Sequence, residues 1–215
     1  MYRVDRNNFY TNEKKATIFT PAAVSEFLYD ILHTHISKKG VVVDPCVGRG
    51  SLLRPWKRNG YKVMGIDIER QGFPGTIVRN YLEMQPEEID VEVSLVIMNP
   101  PFNIDQKTKQ YIKEHYGGRP LLPEVWFSKA IQLFGRKTPI VMFTPYGFRL
   151  NQTEQSKRWQ KFVRDEYPPI TSIISLPKDV FDGILFHSEV LAFNLPKLKA
   201  HYFLNHGAKR SVATK

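Results

Sequence analysis

Apolar residues first fall at helical spacing after Pro21. Val24, Phe27, Leu28, Ile31 and Leu32 stand at i, i+3, i+4, i+7 and i+8, one stripe, with Pro21 at the first turn. The spacing predicts a helix there, preceded by a polar, irregular stretch over residues 1–20 that ends in Phe19-Thr20-Pro21. After Gly40 the pattern changes to Val41-Val42-Val43, a run of β-branched residues with no polar face, as a buried parallel strand requires. A loop over residues 44–50 and a helix over 51–59 follow, the helix in spite of Pro55. Further strands are predicted at residues 62–68, 76–78, 93–98, 139–143, 170–176 and 189–195, the last two joined by a turn through Asp182-Gly183. Helices are predicted at residues 124–134 and, more polar, 153–166. Residues 103–123 are polar, contain Gly117-Gly118 and predict one long loop, of the length that lids have. Strand and helix alternate, which predicts a doubly wound α/β sheet of seven strands in a single domain.

The 215 residues suffice for one such domain. With 42% apolar and 24% charged residues the composition is that of an ordinary soluble globule, which excludes wholesale disorder and a collagen-like chain. No apolar run approaches the roughly 18 residues of a membrane span. The opening residues lack the apolar core of a secretory signal. The single cysteine, Cys46, cannot form an internal disulfide and fits a reducing cytosol, so a cytoplasmic location is expected. The histidines stand at no familiar zinc spacing, and no metal site is expected.

Charge shifts the expectation toward a polyanionic partner. The net charge is +10, and such a surplus attracts polyanions and speeds their encounter. Lys38, Lys39, Arg49, Arg54, Lys57, Arg58 and Lys62 stand against Asp44 alone; Arg149, Lys157, Arg158, Lys161 and Arg164 stand against Glu154 alone. The last segment, residues 197–215, carries Lys197, Lys199, Lys209, Arg210 and Lys215 and no acid, and reads as a basic tail. Each run alone is an ordinary solvated surface. Together they favour a nucleic acid.

Three constellations carry chemistry. Asp44-Pro45-Cys46-Val47-Gly48-Arg49-Gly50 follows the first strand directly. A glycine turn there lets a ligand touch the backbone and the start of the next helix, although glycine also serves a plain strand-to-helix turn. The spacing is neither the G-x-G-x-x-G of nicotinamide enzymes nor a phosphate-binding P-loop. Asp67 ends the second strand, where a carboxylate accepts ribose hydroxyls of a nucleoside ligand, and Ile68 beside it suits an adenine face. Asn99-Pro100-Pro101-Phe102 ends the fourth strand. An exocyclic amine on an aromatic base is a poor nucleophile because its lone pair is delocalised into the ring. The Asn99 side-chain oxygen and the Pro100 carbonyl, as two acceptors, would hold both N–H groups and draw the nitrogen toward tetrahedral geometry. Pro100 and Pro101 stiffen the turn by fixing φ, and Phe102 offers a flat face on which an extruded base stacks.

The order Phe19-Thr20-Pro21, Asp44-Pro45-x-x-Gly48-x-Gly50, Asp67 and Asn99-Pro100-Pro101-Phe102 resembles the S-adenosylmethionine-dependent N6-adenine DNA methyltransferases. The γ arrangement and the modification subunits of type I restriction systems are the nearest branch. The resemblance covers residues 9–196, and residues 1–196 are taken as the methyltransferase domain with its N-terminal arm 1–20, followed by the basic tail 197–215. It implies a Rossmann-like methyltransferase fold whose seventh and last strand is antiparallel. It also implies S-adenosyl-L-methionine as cofactor, with Thr20, Asp44, Pro45, Gly48 and Gly50 at its methionine end, Asp67 on the ribose and Ile68 on the adenine. Asn80 stands where the family has an aspartate for the adenine amino group, and Tyr81 where it has phenylalanine.

The family's recognition region normally lies beyond the last strand, and only the basic residues follow here. The expected partner is therefore DNA held through its phosphates, with the segments 107–113, 149–164 and 197–215 as contacts; either the chain methylates with little sequence preference, or a separate specificity subunit supplies it. Two other readings stay open: methylation of RNA or of a protein glutamine by the same Asn-Pro-Pro device, and a non-catalytic subunit of a restriction-modification complex.

Overall fold

Eight strands form one sheet in the order β3-β2-β1-β4-β5-β7-β6-β8. The computed structural model describes residues 19–101, 104, 106–116, 120–177, 180–181 and 188–204. The strands are β1 (Val41–Asp44), β2 (Lys62–Asp67), β3 (Ile77–Val78), β4 (Val93–Met98), β5 (Ile140–Pro145), β6 (Ile170–Ser175), β7 (Ser188–Phe193) and β8 (His201–Phe203). All pair in parallel except β7, which runs antiparallel to both β5 and β6. The seventh strand is thus antiparallel, as the resemblance implies.

Alternation along the central strands assigns each face its helices. Val42, Ile97, Val141 and Phe143 point to one side, where α1 (Ala22–Leu32) supplies Val24, Leu28 and Leu32 and α2 (Arg54–Arg58) supplies Trp56. Val43, Val96, Met98, Ile140 and Met142 point to the other, under Phe127 and Ala130 of α4 (Leu122–Phe134) and Ile112 of α3 (Gln106–Tyr116). Burial on both faces explains why the central strands are apolar throughout.

The sheet and helices depart from the sequence pattern in four places. The stretch expected as one loop after Phe102 holds α3, whose polar residues face water while Thr108 and Ile112 are buried. Gly117, Gly118, Asp182 and Gly183 lie outside the described residues. Helix α2 is shorter than expected because residues 51–53 form a turn and Pro55 occupies its first turn, where a missing N–H is harmless. Helix α6 (Lys157–Val163) starts late, at the Ser156 hydroxyl that accepts from the Trp159 N–H at 3.3 Å, and a short α5 (Gly147–Leu150) precedes it. The eighth strand, β8, lies in the segment expected as tail; it pairs with β6, and the Leu204 N–H extends the ladder to the Ser175 carbonyl at 3.0 Å.

Candidate active site

The connections diverge between β1 and β4, with β2 and β3 on one side and β5 on the other. In open α/β sheets ligands bind outside the carboxyl ends of the strands at such a switch point. Asp44 ends β1, Asp67 ends β2 and Asn99 follows β4, so the three constellations meet at one edge of the sheet.

The first turn is built on backbone that only glycine adopts easily. Gly48 has φ +50° and Gly50 φ +80°, and a Cβ on Gly50 would fall 2.0 Å from the Phe73 ring. The turn is pinned from β2: the Val47 N–H donates to the Ile66 carbonyl at 2.9 Å, and the Gly48 N–H donates to Asp67 Oδ2 at 2.8 Å. Asp67 Oδ1 accepts from the Glu69 N–H at 3.1 Å. The Asp67 carboxylate therefore shapes the glycine turn while standing at the expected ribose position. Ile68 beside it is 54% exposed, an open apolar surface at the same edge.

Asp44 is 2% exposed, and its Oδ1 accepts from the Cys46 N–H at 3.0 Å. Burial raises its pKa from 3.8 to about 7; hydrogen bonds from the Cys46 backbone and thiol oppose the rise and the Asp67 charge adds to it. Burial likewise pushes the Cys46 thiol well above its ordinary value. Asp44 and Asp67 add to that rise, while the Asn99 backbone N–H works against it. That thiol stays protonated and is a poor nucleophile.

A stability prediction follows from the sign of the Asp44 shift. The folded chain holds this proton more tightly than the unfolded one, so Asp44 costs stability progressively as pH rises from about 4 to about 7. Asp44→Asn keeps the acceptor for the Cys46 N–H and removes the charge. Its melting temperature is expected to gain on the parent's across that window and to level off above it. A difference that does not change with pH would refute the assignment.

Asn80 and Tyr81 sit after β3. Asn80 Oδ1 accepts from the Leu82 N–H at 3.2 Å and its Nδ2 donates to Glu83 Oε1 at 2.7 Å, so the side chain also caps a 3₁₀ turn. Tyr81 is buried among core residues, with its hydroxyl unpartnered.

At the third turn the Asn99 Nδ2 donates to Thr20 Oγ1 at 3.2 Å, while Asn99 Oδ1 is buried and has no partner among the described residues. An orphaned carbonyl oxygen carries a desolvation penalty that a donor from a ligand would relieve. Pro100 is buried and Pro101 half-buried; Phe102 lies outside the described residues.

One polar group at this edge has no counterpart in the motifs. Glu189, 1% exposed at the start of β7, lies opposite Thr144 of β5 and accepts from Arg149 Nε through both oxygens at 2.9 and 3.0 Å. Burial raises the Glu189 pKa, and Arg149 partly offsets it. Thr144 Oγ1 and Ser188 Oγ are buried nearby in register without partners among the described residues. The signal in the sequence is a glutamate heading an otherwise apolar strand.

The same contacts revise the expected phosphate surface. Arg149 is committed to Glu189, Arg158 is buried against Glu124, and Lys161 donates to the Tyr167 hydroxyl at 3.0 Å. In that segment Lys157 and Arg164 remain exposed. Lys107, Lys109 and Lys113 are exposed on α3, just past the acceptor turn, as are Lys197 and Lys199; the residues after Leu204 lie outside the described ones. Among the described residues no group of side chains could hold a metal ion, and no helix is long and apolar enough to cross a membrane.

Residues 2–62 match the N-6 DNA Methylase family. The match spans the N-terminal Thr-Pro, the glycine turn and the start of β2, and it bears out the resemblance as far as those motifs carry it. Among solved structures the chain is similar to the type IIG restriction endonuclease BpuSI, at 19% identity and TM-score 0.63, covering 85% of this chain and 26% of that one. It is also similar to the methyltransferase subunit of a type I restriction-modification system from Streptococcus thermophilus, at 16% identity and TM-score 0.58, covering 92% and 48%. A proposed RNA methyltransferase of Pyrococcus horikoshii matches at 16% identity and TM-score 0.52, covering 86% and 90%. These likenesses show the methyltransferase fold. The chain spans about a quarter of BpuSI and about half of the type I subunit. No curated protein matches it.

Proposed function

We infer that the chain transfers a methyl group from S-adenosyl-L-methionine to the exocyclic N6 amine of adenine in DNA. The observation that carries this reading is the buried, unpartnered Asn99 Oδ1 held beside the glycine turn at the switch point. The donor set fits the cofactor. Asp67 offers free lone pairs to hydroxyls, Gly48 and Gly50 leave the turn without side chains, the Asp44 carboxyl stands at the methionine end, and Ile68 supplies an apolar surface. Asn80 retains a lone pair on Oδ1 for the adenine amino group, with Tyr81 packed behind it. When bound, S-adenosyl-L-methionine supplies an electrophilic methyl group.

The chain's part is positional and electrostatic. Asn99 Oδ1 and the Pro100 carbonyl each take one N–H of the acceptor amine, which draws the nitrogen lone pair out of the ring and aims it. Pro101 keeps the turn stiff, and Phe102 provides the stacking face for the base. The partner is DNA, with α3 the exposed basic element nearest the turn, and the type I likeness supports a separate subunit that supplies sequence preference. The Pyrococcus likeness keeps RNA as the second acceptor to test.

The deciding experiment offers labelled S-adenosyl-L-methionine with DNA, RNA and protein in parallel. Label on adenine N6 of DNA is expected; label on RNA or protein alone would overturn the acceptor, and no label anywhere would overturn the reaction. For the cofactor, Asp67→Ala is expected to weaken binding by at least tenfold, since each charge-assisted hydrogen bond contributes about 1.5–3 kcal/mol. Calorimetry showing parental affinity would move the ribose site elsewhere.

A further inference from the structure

We propose that Thr20 is a positioning residue for Asn99, holding its carboxamide by Nδ2 so that Oδ1 is left to receive the acceptor amine. The inference rests on the function proposed above and gives Thr20 a task on the acceptor side of the site rather than at the methionine end of the cofactor.

Three observations carry it. The Asn99 Nδ2 donates to Thr20 Oγ1 at 3.2 Å, and this is the bond described for the Asn99 side chain, its Oδ1 being buried and unpartnered. A carboxamide has one end that donates and one that accepts, and only the accepting end suits an amine that brings two N–H groups. Engaging Nδ2 elsewhere is what leaves Oδ1 for the substrate. Next, Thr20 is itself fixed: it is 6% exposed and immediately precedes Pro21, whose carbonyl accepts from the Val24 and Ser25 N–H groups to start α1. Finally, Phe19 lies across the glycine turn. Its ring is 4.2 Å from the Arg49 guanidinium carbon, and a Cβ on Gly48 would touch the ring at 3.4 Å. The dipeptide Phe19-Thr20 therefore clasps the cofactor turn with one side chain and the acceptor amide with the next.

Thr20→Val keeps the shape and removes the hydroxyl. Turnover at saturating cofactor is expected to fall about 10–100-fold, the scale of a small misplacement of an aligned group. Cofactor affinity should stay within about twofold, and Thr20→Ser should restore turnover. A readout independent of activity is the Asn99 side-chain NH₂ resonance, assigned by its loss in Asn99→Ala. It is expected to move toward the position of a free amide in Thr20→Val and to return in Thr20→Ser. Thr20→Ala, smaller but equally unable to accept, serves if the valine variant does not fold. Weakened cofactor binding with unchanged turnover, or a resonance that does not move, would overturn the proposal. A parent chain that transfers no methyl group to any acceptor overturns the reading of the function; the resonance judges the Thr20–Asn99 bond separately.

Discussion

Asn99→Ala is expected to lower methyl transfer by roughly 10²–10³-fold, the cost of removing one preorganised polar group from a reacting centre. Affinity for S-adenosyl-L-methionine should change little, because the Asn99 side chain bonds Thr20 and not the Asp44–Gly50 turn. Stability should hold or rise. Asn99 Oδ1 is buried without a partner, so deleting it removes a desolvation penalty, and the bond lost to Thr20 is a single one. A function that requires an unpaired acceptor is thus maintained against local stability. Paired measurements of thermal unfolding and labelled-methyl transfer test this. A variant that unfolds early and keeps its residual activity per folded molecule would mean that Asn99 is structural.

Arg158→Met is expected to destabilise the chain by about 3–5 kcal/mol, the scale for stranding one member of a buried ion pair. Arg158 and Glu124 are each 7% exposed, with Nη1 donating to Glu124 Oε2 at 3.2 Å. The other two nitrogens are bonded too: Nε to the Phe148 carbonyl at 2.6 Å and Nη2 to the Gly147 carbonyl at 3.0 Å. One guanidinium therefore ties α6 to α4 and to α5, the element that carries Arg149 toward Glu189. Removing it leaves a carboxylate and two carbonyls in the interior. Replacing both ends, Glu124→Leu with Arg158→Met, should recover much of the loss, because two apolar groups of similar volume no longer bury a charge. Denaturant titration of the single and double variants gives the coupling directly. A loss below about 1 kcal/mol for Arg158→Met would place the pair in the class of solvent-screened surface bridges.

The elements legible in the sequence are those whose evidence is local. Five apolar positions at helical spacing suffice for α1, a β-branched run suffices for β1 and a mostly apolar run for β4, because each buries faces that a short window already displays. Helix α3 hides because its stripe is narrow: Thr108 and Ile112 are buried, Tyr111 and Tyr116 are half-buried beside them, and the remaining positions are polar. Strand β8 is three residues long and exists through its pairing with β6, which sequence spacing does not record.

The site divides in the same way. Asp44, Gly48, Gly50, Asp67 and Asn99 were identifiable because glycine turns and strand-end carboxylates act through backbone conformation and position along their own strand. Their meeting depends on the strand order, with β1 beside β4. The bond from Asn99 to Thr20 spans 79 residues and the pairing of Arg149 with Glu189 spans 40. By itself the sequence determined the first seven strands, the turns at their ends and the chemistry those turns offer. The tertiary structure decided which polar groups are consumed internally, as Arg149 and Arg158 are, and which stay unpaired, as Asn99 Oδ1 does. Hydrogen bonding between distant side chains is settled by the order and twist of the sheet, and neither is written in any local window.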